Sequence, residues 1–131
     1  MTRSGYVDES EHLELYRANV ERSIQGKRGQ AFLRELAEAL DAMPVKELIP
    51  NRLVVPSVGV CAIGAVCRAR RLDVSEVDYY DPESVGNAVG ISRIMAAEIE
   101  YMNDEWAGRR ETPTERWTRM RKWVDDQINS L

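Results

Sequence analysis

The chain contains no apolar run approaching the roughly 18 residues that a membrane-spanning helix needs. Its first residues, Met1-Thr2-Arg3-Ser4-Gly5, lack the apolar core of a secretory signal. A cytoplasmic protein without membrane contact is therefore expected. Histidine occurs once, at His12, and cysteine twice, at Cys61 and Cys67. The two cysteines are six positions apart, which is neither a CxxC nor a metal-ligand spacing. On a helix they would point roughly 120° apart, so reduced thiols are expected rather than an internal disulfide. Also missing are the GxxxxGK[ST] loop of nucleotide-binding proteins, the HExxH zinc pair and the DxDxDG calcium loop. Neither a metal nor another cofactor is expected.

What is present is an ordinary globular composition. A chain of 131 residues with 44% hydrophobic and 31% charged residues fits one domain spanning 1–131, with residues 1–7 frayed. At that size about two-thirds of the unfolded surface can be buried. The net charge of −4 is unevenly distributed. Residues 1–71 and 109–131 are each slightly basic, whereas 72–108 hold nine acids and only Arg93 as a base. A pI near 5.1 argues against a nucleic-acid footprint.

The apolar spacing reads as helices. Asp8 or Ser10 opens the first, with Leu13, Tyr16, Val20 and Ile24 on one face, and Gly26 ends it. Lys27-Arg28-Gly29 is read as a short basic turn, and Gln30 opens a second helix carrying Phe32, Leu33, Leu36, Leu40 and Met43 up to Pro44. The two are expected to form an antiparallel hairpin capped by Leu48 and Ile49. The glycine-flanked basic turn has the ingredients of an anion nest, but no strand precedes it.

Leu53 to Val60, with Pro56-Ser57 at its centre, predicts a small β-hairpin. Val60 to Cys67 follows as an uncharged run of small and apolar residues, the natural hub of the fold. It predicts a helix over 62–71 with Ile63, Ala65, Val66 and Ala69 inward and Arg68, Arg70 and Arg71 at its C-terminal end, where cations complement the helix dipole. Gly64 implies a close crossing by a neighbouring helix.

Residues 72–81 read as an exposed acidic loop. Asp81-Pro82 opens a short helix that stops at Gly90, and Ser92 caps another carrying Ile94, Met95, Ile99 and Met102. Thr112-Pro113-Thr114-Glu115 is a capping box, and Trp117, Met120, Val124, Ile128 and Leu131 continue the final helix. Its Arg116, Arg119, Arg121 and Lys122 read as a solvated face paired with Glu115, Asp125 and Asp126. The expected fold is mainly α, a compact bundle of five to six helices with at most one small β-hairpin.

Two sets of residues qualify as sites. Cys61 stands in the first turn of the hub helix, where the dipole favours a thiolate, although His12, in an exposed-looking first turn, is the only imidazole that could serve it. Asn103-Asp104 closes the preceding apolar helix, where its side chains can bond the orphan backbone groups at the start of the hub helix. Cys61, Asn103 and Asp104 are thus the catalytic candidates. Asp73, Glu76, Asp78, Tyr79, Tyr80 and Asp81 are the binding candidates, an acidic aromatic face for a basic partner.

The segment Cys61-Ala62-Ile63-Gly64-Ala65-Val66, the later Asn103-Asp104 and the Thr112-capped last helix resemble small uncharacterised phage and prophage proteins. Gly26 to Leu33 and Arg116-Trp117 with Met120-Arg121 resemble the same group. That resemblance implies a phage-type accessory protein in the host cytoplasm, acting by binding a host or phage protein, with inhibition of a host defence system as its setting. It brings no activity and no catalytic residues. The competing expectation is a small enzyme or ligand-binding domain built on Cys61, Asn103 and Asp104.

Overall fold

The structure, a computed structural model, describes Arg3, residues 13–105 and residues 110–128. The expected helix start at Asp8 or Ser10, and the residues His12, Trp106 and Leu131, lie outside the described residues. The described residues form α1 (Leu13–Gln25), α2 (Lys27–Ala42), β1 (Val54–Val55), β2 (Gly59–Val60), α3 (Ala62–Ala69), α4 (Pro82–Val89), α5 (Arg93–Asp104) and α6 (Pro113–Gln127). The chain is mainly helical with one small antiparallel hairpin.

Most helix ends follow from local chemistry. Asp81 caps α4 by accepting from the Glu83 N–H, Pro82 stands at its start, and Gly90 ends it with φ 86°. Ser92 caps α5 through the Met95 N–H, and Thr112 with Glu115 forms a full capping box on α6. The α3 end is a Schellman turn. Arg71 takes φ 58°, its N–H bonds Arg68 O, and the next N–H, of Leu72, bonds Cys67 O.

The α1–α2 connection differs from expectation. α2 begins at Lys27 rather than Gln30, leaving Gly26 as the whole link. Gly29 lies deep against α1, where a Cβ would come within 2.1 Å of Ser23 O, so the glycine is required for the close approach. Lys27 and Arg28 therefore belong to a helical first turn and are exposed, not part of an anion nest. Leu48 and Ile49 do not cap the helix pair. Their N–H groups bond Pro113 O and Val60 O, which lays this segment beside β2 and the start of α6.

In the hairpin Val54 pairs with Val60 and Val55 with Gly59. Pro56 and Ser57 turn the chain, with Ser57 at φ 65° and the Val58 N–H bonded to Val55 O. α3 then packs between α2 and α5 and touches both strands. All six residues from Ala62 to Cys67 are buried, while Ala69, expected inward, is exposed because the helix runs out of the core there. The buried apolar side chains form one continuous cluster, drawing on all six helices and the hairpin. α5 contacts α1, α3, α4 and α6 and is buried nearly all round, which brings its polar residues into the interior.

Candidate functional site

At the junction of α3 and α5 the structure brings Cys61, Asn103 and Asp104 together. Asn103 Oδ1 accepts from the Ala62 N–H at 3.0 Å, so the end of α5 satisfies a free amide at the start of α3. Asn103 Nδ2 donates to Ile49 O at 3.0 Å and to Asp104 Oδ1 at 2.8 Å. Asp104 Oδ1 also accepts from the Asn51 N–H at 3.0 Å. Asn51 holds φ 65°, a conformation asparagine tolerates better than most residues.

Cys61 is the N-cap of α3. Its sulfur accepts from the Gly64 N–H at 3.4 Å, the position usually held by a serine, threonine or aspartate oxygen. The side chain is 1% exposed. Burial pushes the thiol pKa up from its ordinary value, and the opposing pull of Arg3 and the Gly64 amide does not reverse it. The thiolate-favouring effect expected of a helix start is thus outweighed by desolvation. Cys67 is also a buried free thiol, raised by burial to about 11. Gly64 is tight for a different reason than expected. A Cβ there would come within 1.9 Å of Leu53 O, so the close neighbour is the backbone leading into β1, not a crossing helix.

Arg3 and Glu100, neither of them singled out in the sequence, complete the cluster. Arg3 Nε and Nη2 clamp Asp104 Oδ2 and Oδ1 at 2.6 and 3.1 Å, and Arg3 Nη1 lies 3.1 Å from Glu100 Oε2. The side chains of Arg3 and Glu100 are fully buried. Burial lifts the Glu100 carboxyl to about 8, against the pull of Arg3 and with added push from Asp104 and Asp81. Arg116, expected on a solvated face, is instead buried and donates through Nε to Asn103 O at 2.8 Å. Arg119 donates to Met102 O at 2.6 Å and clamps Glu111. Together they satisfy the last carbonyls of α5 and complement the negative end of its dipole. Arg121 and Lys122 do stay near the surface, on Asp41 and Asp126.

One signal for the buried cluster was present in the sequence. Glu100 and Asp104 are four apart on one helix face, where like charges repel unless a cation bridges them.

The acidic stretch divides in two. Glu98, Glu100 and Asp104 are interior, with Glu98 paired to Arg17 at 2.9 Å. Asp73, Glu76, Asp78, Asp81 and Glu83 are exposed. Three of these carboxylates also shape the loop: Asp73 accepts from the Ser75 N–H, Asp78 from Tyr80 and Asp81 from Glu83. The loop is anchored by half-buried Val74, Val77 and Tyr79. Tyr79 carries Arg52 over its ring at 4.9 Å, and Tyr80 beside it is 55% exposed.

Two grooves flank the hairpin and share Val54 and Pro56 in their walls. One, of about 490 Å³, includes Val45, Val58 and Arg68. The other, of about 480 Å³, includes Leu72, Asp73, Val77 and Tyr79. No group of histidine, cysteine and carboxylate side chains suited to a metal occurs among the described residues. No protein-family model, curated protein or solved structure matches the chain.

Proposed function

We propose that this chain acts by binding another protein, and that the bound segment is basic and partly apolar. The observation that carries the reading is the run of five exposed acids between Asp73 and Glu83, a stretch that contains no basic residue. It lies beside the groove that Leu72, Val77 and Tyr79 line. Exposed Val58 and Leu72 add apolar area around the hairpin, and exposed Tyr80 adds more on the acidic loop itself. An acidic rim next to apolar grooves suits a partner segment with lysine or arginine flanking apolar side chains. The resemblance to phage and prophage proteins supplies the setting, an accessory protein that engages a host component such as a defence protein.

The catalytic reading of Cys61 gains no support from the geometry. Its sulfur caps a helix and is buried, and Asn103 and Asp104 are committed to backbone and guanidinium donors.

A test is capture of host proteins by the tagged chain at low and moderate salt. The comparison protein carries Asp73→Asn, Glu76→Gln, Asp78→Asn and Asp81→Asn, changes that remove charge but keep acceptors for the turn hydrogen bonds. A partner held by the native chain should be lost from this variant, and lost from the native chain as salt rises to about 0.3 M. A partner retained by both at either salt contradicts the acidic face.

A further inference from the structure

We propose that the pocket formed by Glu100 and Asp104 is a guanidinium-binding site, filled within the chain by Arg3, that accepts a guanidinium group from solution when Arg3 is removed. The site is independent of the partner-binding face proposed above.

Part of the receptor is held by contacts that its occupant does not make. Asp104 Oδ1 is held by the Asn51 N–H and by Asn103 Nδ2, donors that do not involve Arg3. Both of its oxygens are then presented to Arg3 as a fork, the arrangement that selects a planar guanidinium over an ammonium. Glu100 stands one helical turn earlier on the same face.

The second observation is an unused binding capacity. Glu100 is 0% exposed, yet neither of its carboxyl oxygens takes part in a hydrogen bond, and neither does Arg3 Nη1, although Nη1 and Oε2 are 3.1 Å apart. Buried polar atoms are nearly always hydrogen-bonded. Arg3 therefore satisfies Asp104 fully and meets Glu100 only by proximity. A guanidinium not tethered to the chain can rotate to bond both carboxyl groups. The chemistry also disfavours the empty state, since the Asp104 side chain is almost wholly buried and its charge would be left without the cation that balances it.

The experiment measures thermal unfolding of Arg3→Ala with added methylguanidinium, methylammonium or sodium chloride at equal ionic strength. Methylguanidinium should raise the Tm of the variant by several degrees, saturating by about 10 mM, while the native chain does not respond. Methylammonium and sodium chloride should not reproduce the rise. The rise should disappear in Arg3→Ala combined with Asp104→Asn. A peptide of residues 1–5 distinguishes the source: rescue by both peptide and methylguanidinium supports a general guanidinium site, and rescue by the peptide alone overturns it. If Arg3→Ala does not fold unaided, refolding in each additive gives the same reading: recovery in methylguanidinium alone supports the proposal. Recovery in none, or equally in all, overturns it.

Discussion

Asn103 Oδ1 accepts the Ala62 N–H at 3.0 Å, and through that bond the last turn of α5 closes the first turn of α3. The same side chain donates to Ile49 O, so one amide joins α5, α3 and the segment beside β2. Replacing it by alanine leaves the buried Ala62 amide without an acceptor. Asn103→Ala should cost about 1–3 kcal/mol, read as a lower urea midpoint with an unchanged slope. Asn103→Asp keeps the acceptor but loses the donor and sets a second charge beside Asp104. It should be the more damaging of the two at pH 7, and the difference should shrink in acid.

Glu100 predicts a pH dependence of stability. Its pKa in the fold, about 8, lies above its ordinary 4.5, through burial and through the charges of Asp104 and Asp81, which together outweigh the pull of Arg3. Between those values the native state holds a proton that the unfolded chain has released. Stability should therefore fall as pH rises across that window. Glu100→Gln should flatten this part of the profile, as measured by denaturant midpoints from pH 5 to 8. A profile identical to that of the native chain contradicts the assignment.

Arg116 and Arg119 hold the end of α5 from α6. Arg116→Met keeps most of the buried stem and removes the bond to Asn103 O, so about 1.5–3 kcal/mol should be lost. Hydrogen exchange checks the location, since the last turn of α5 should lose protection before α2 does.

Arg71 offers a stabilising change. It holds φ 58° as the left-handed residue of the Schellman turn after α3, a place where glycine is preferred. Arg71→Gly should raise stability by roughly 0.5–1 kcal/mol, with a Tm gain of a few degrees.

The elements that could be read from the sequence are those whose signals are local. Asp81-Pro82, Gly90, Ser92 and the Thr112–Glu115 box each act within four residues of themselves, and all four set helix ends as expected. The hairpin around Pro56-Ser57 is likewise a short-range device. The juxtaposition of Asn103 with the start of α3 was also legible, because a polar pair ending an apolar helix needs backbone partners. Arg3 was not, because its partner Asp104 is 101 positions away. Nor were the roles of Arg116 and Arg119, whose spacing alone suits a wet face as well as a cap on another helix. The acidity of 72–108 misled in one respect, since charge counted along the chain does not distinguish acids on the loop from acids inside α5.

Taken together, these contacts make Cys61, Asn103 and Asp104 a structural junction. The most direct measurement is the rate at which an alkylating reagent modifies Cys61 in the native chain, compared with the chain unfolded in urea. A buried N-cap thiol with a raised pKa predicts no modification of the native protein between pH 6 and 8, and full modification once it unfolds. Rapid native-state labelling of Cys61 below pH 7 would contradict that account and return the site to the class of activated nucleophiles.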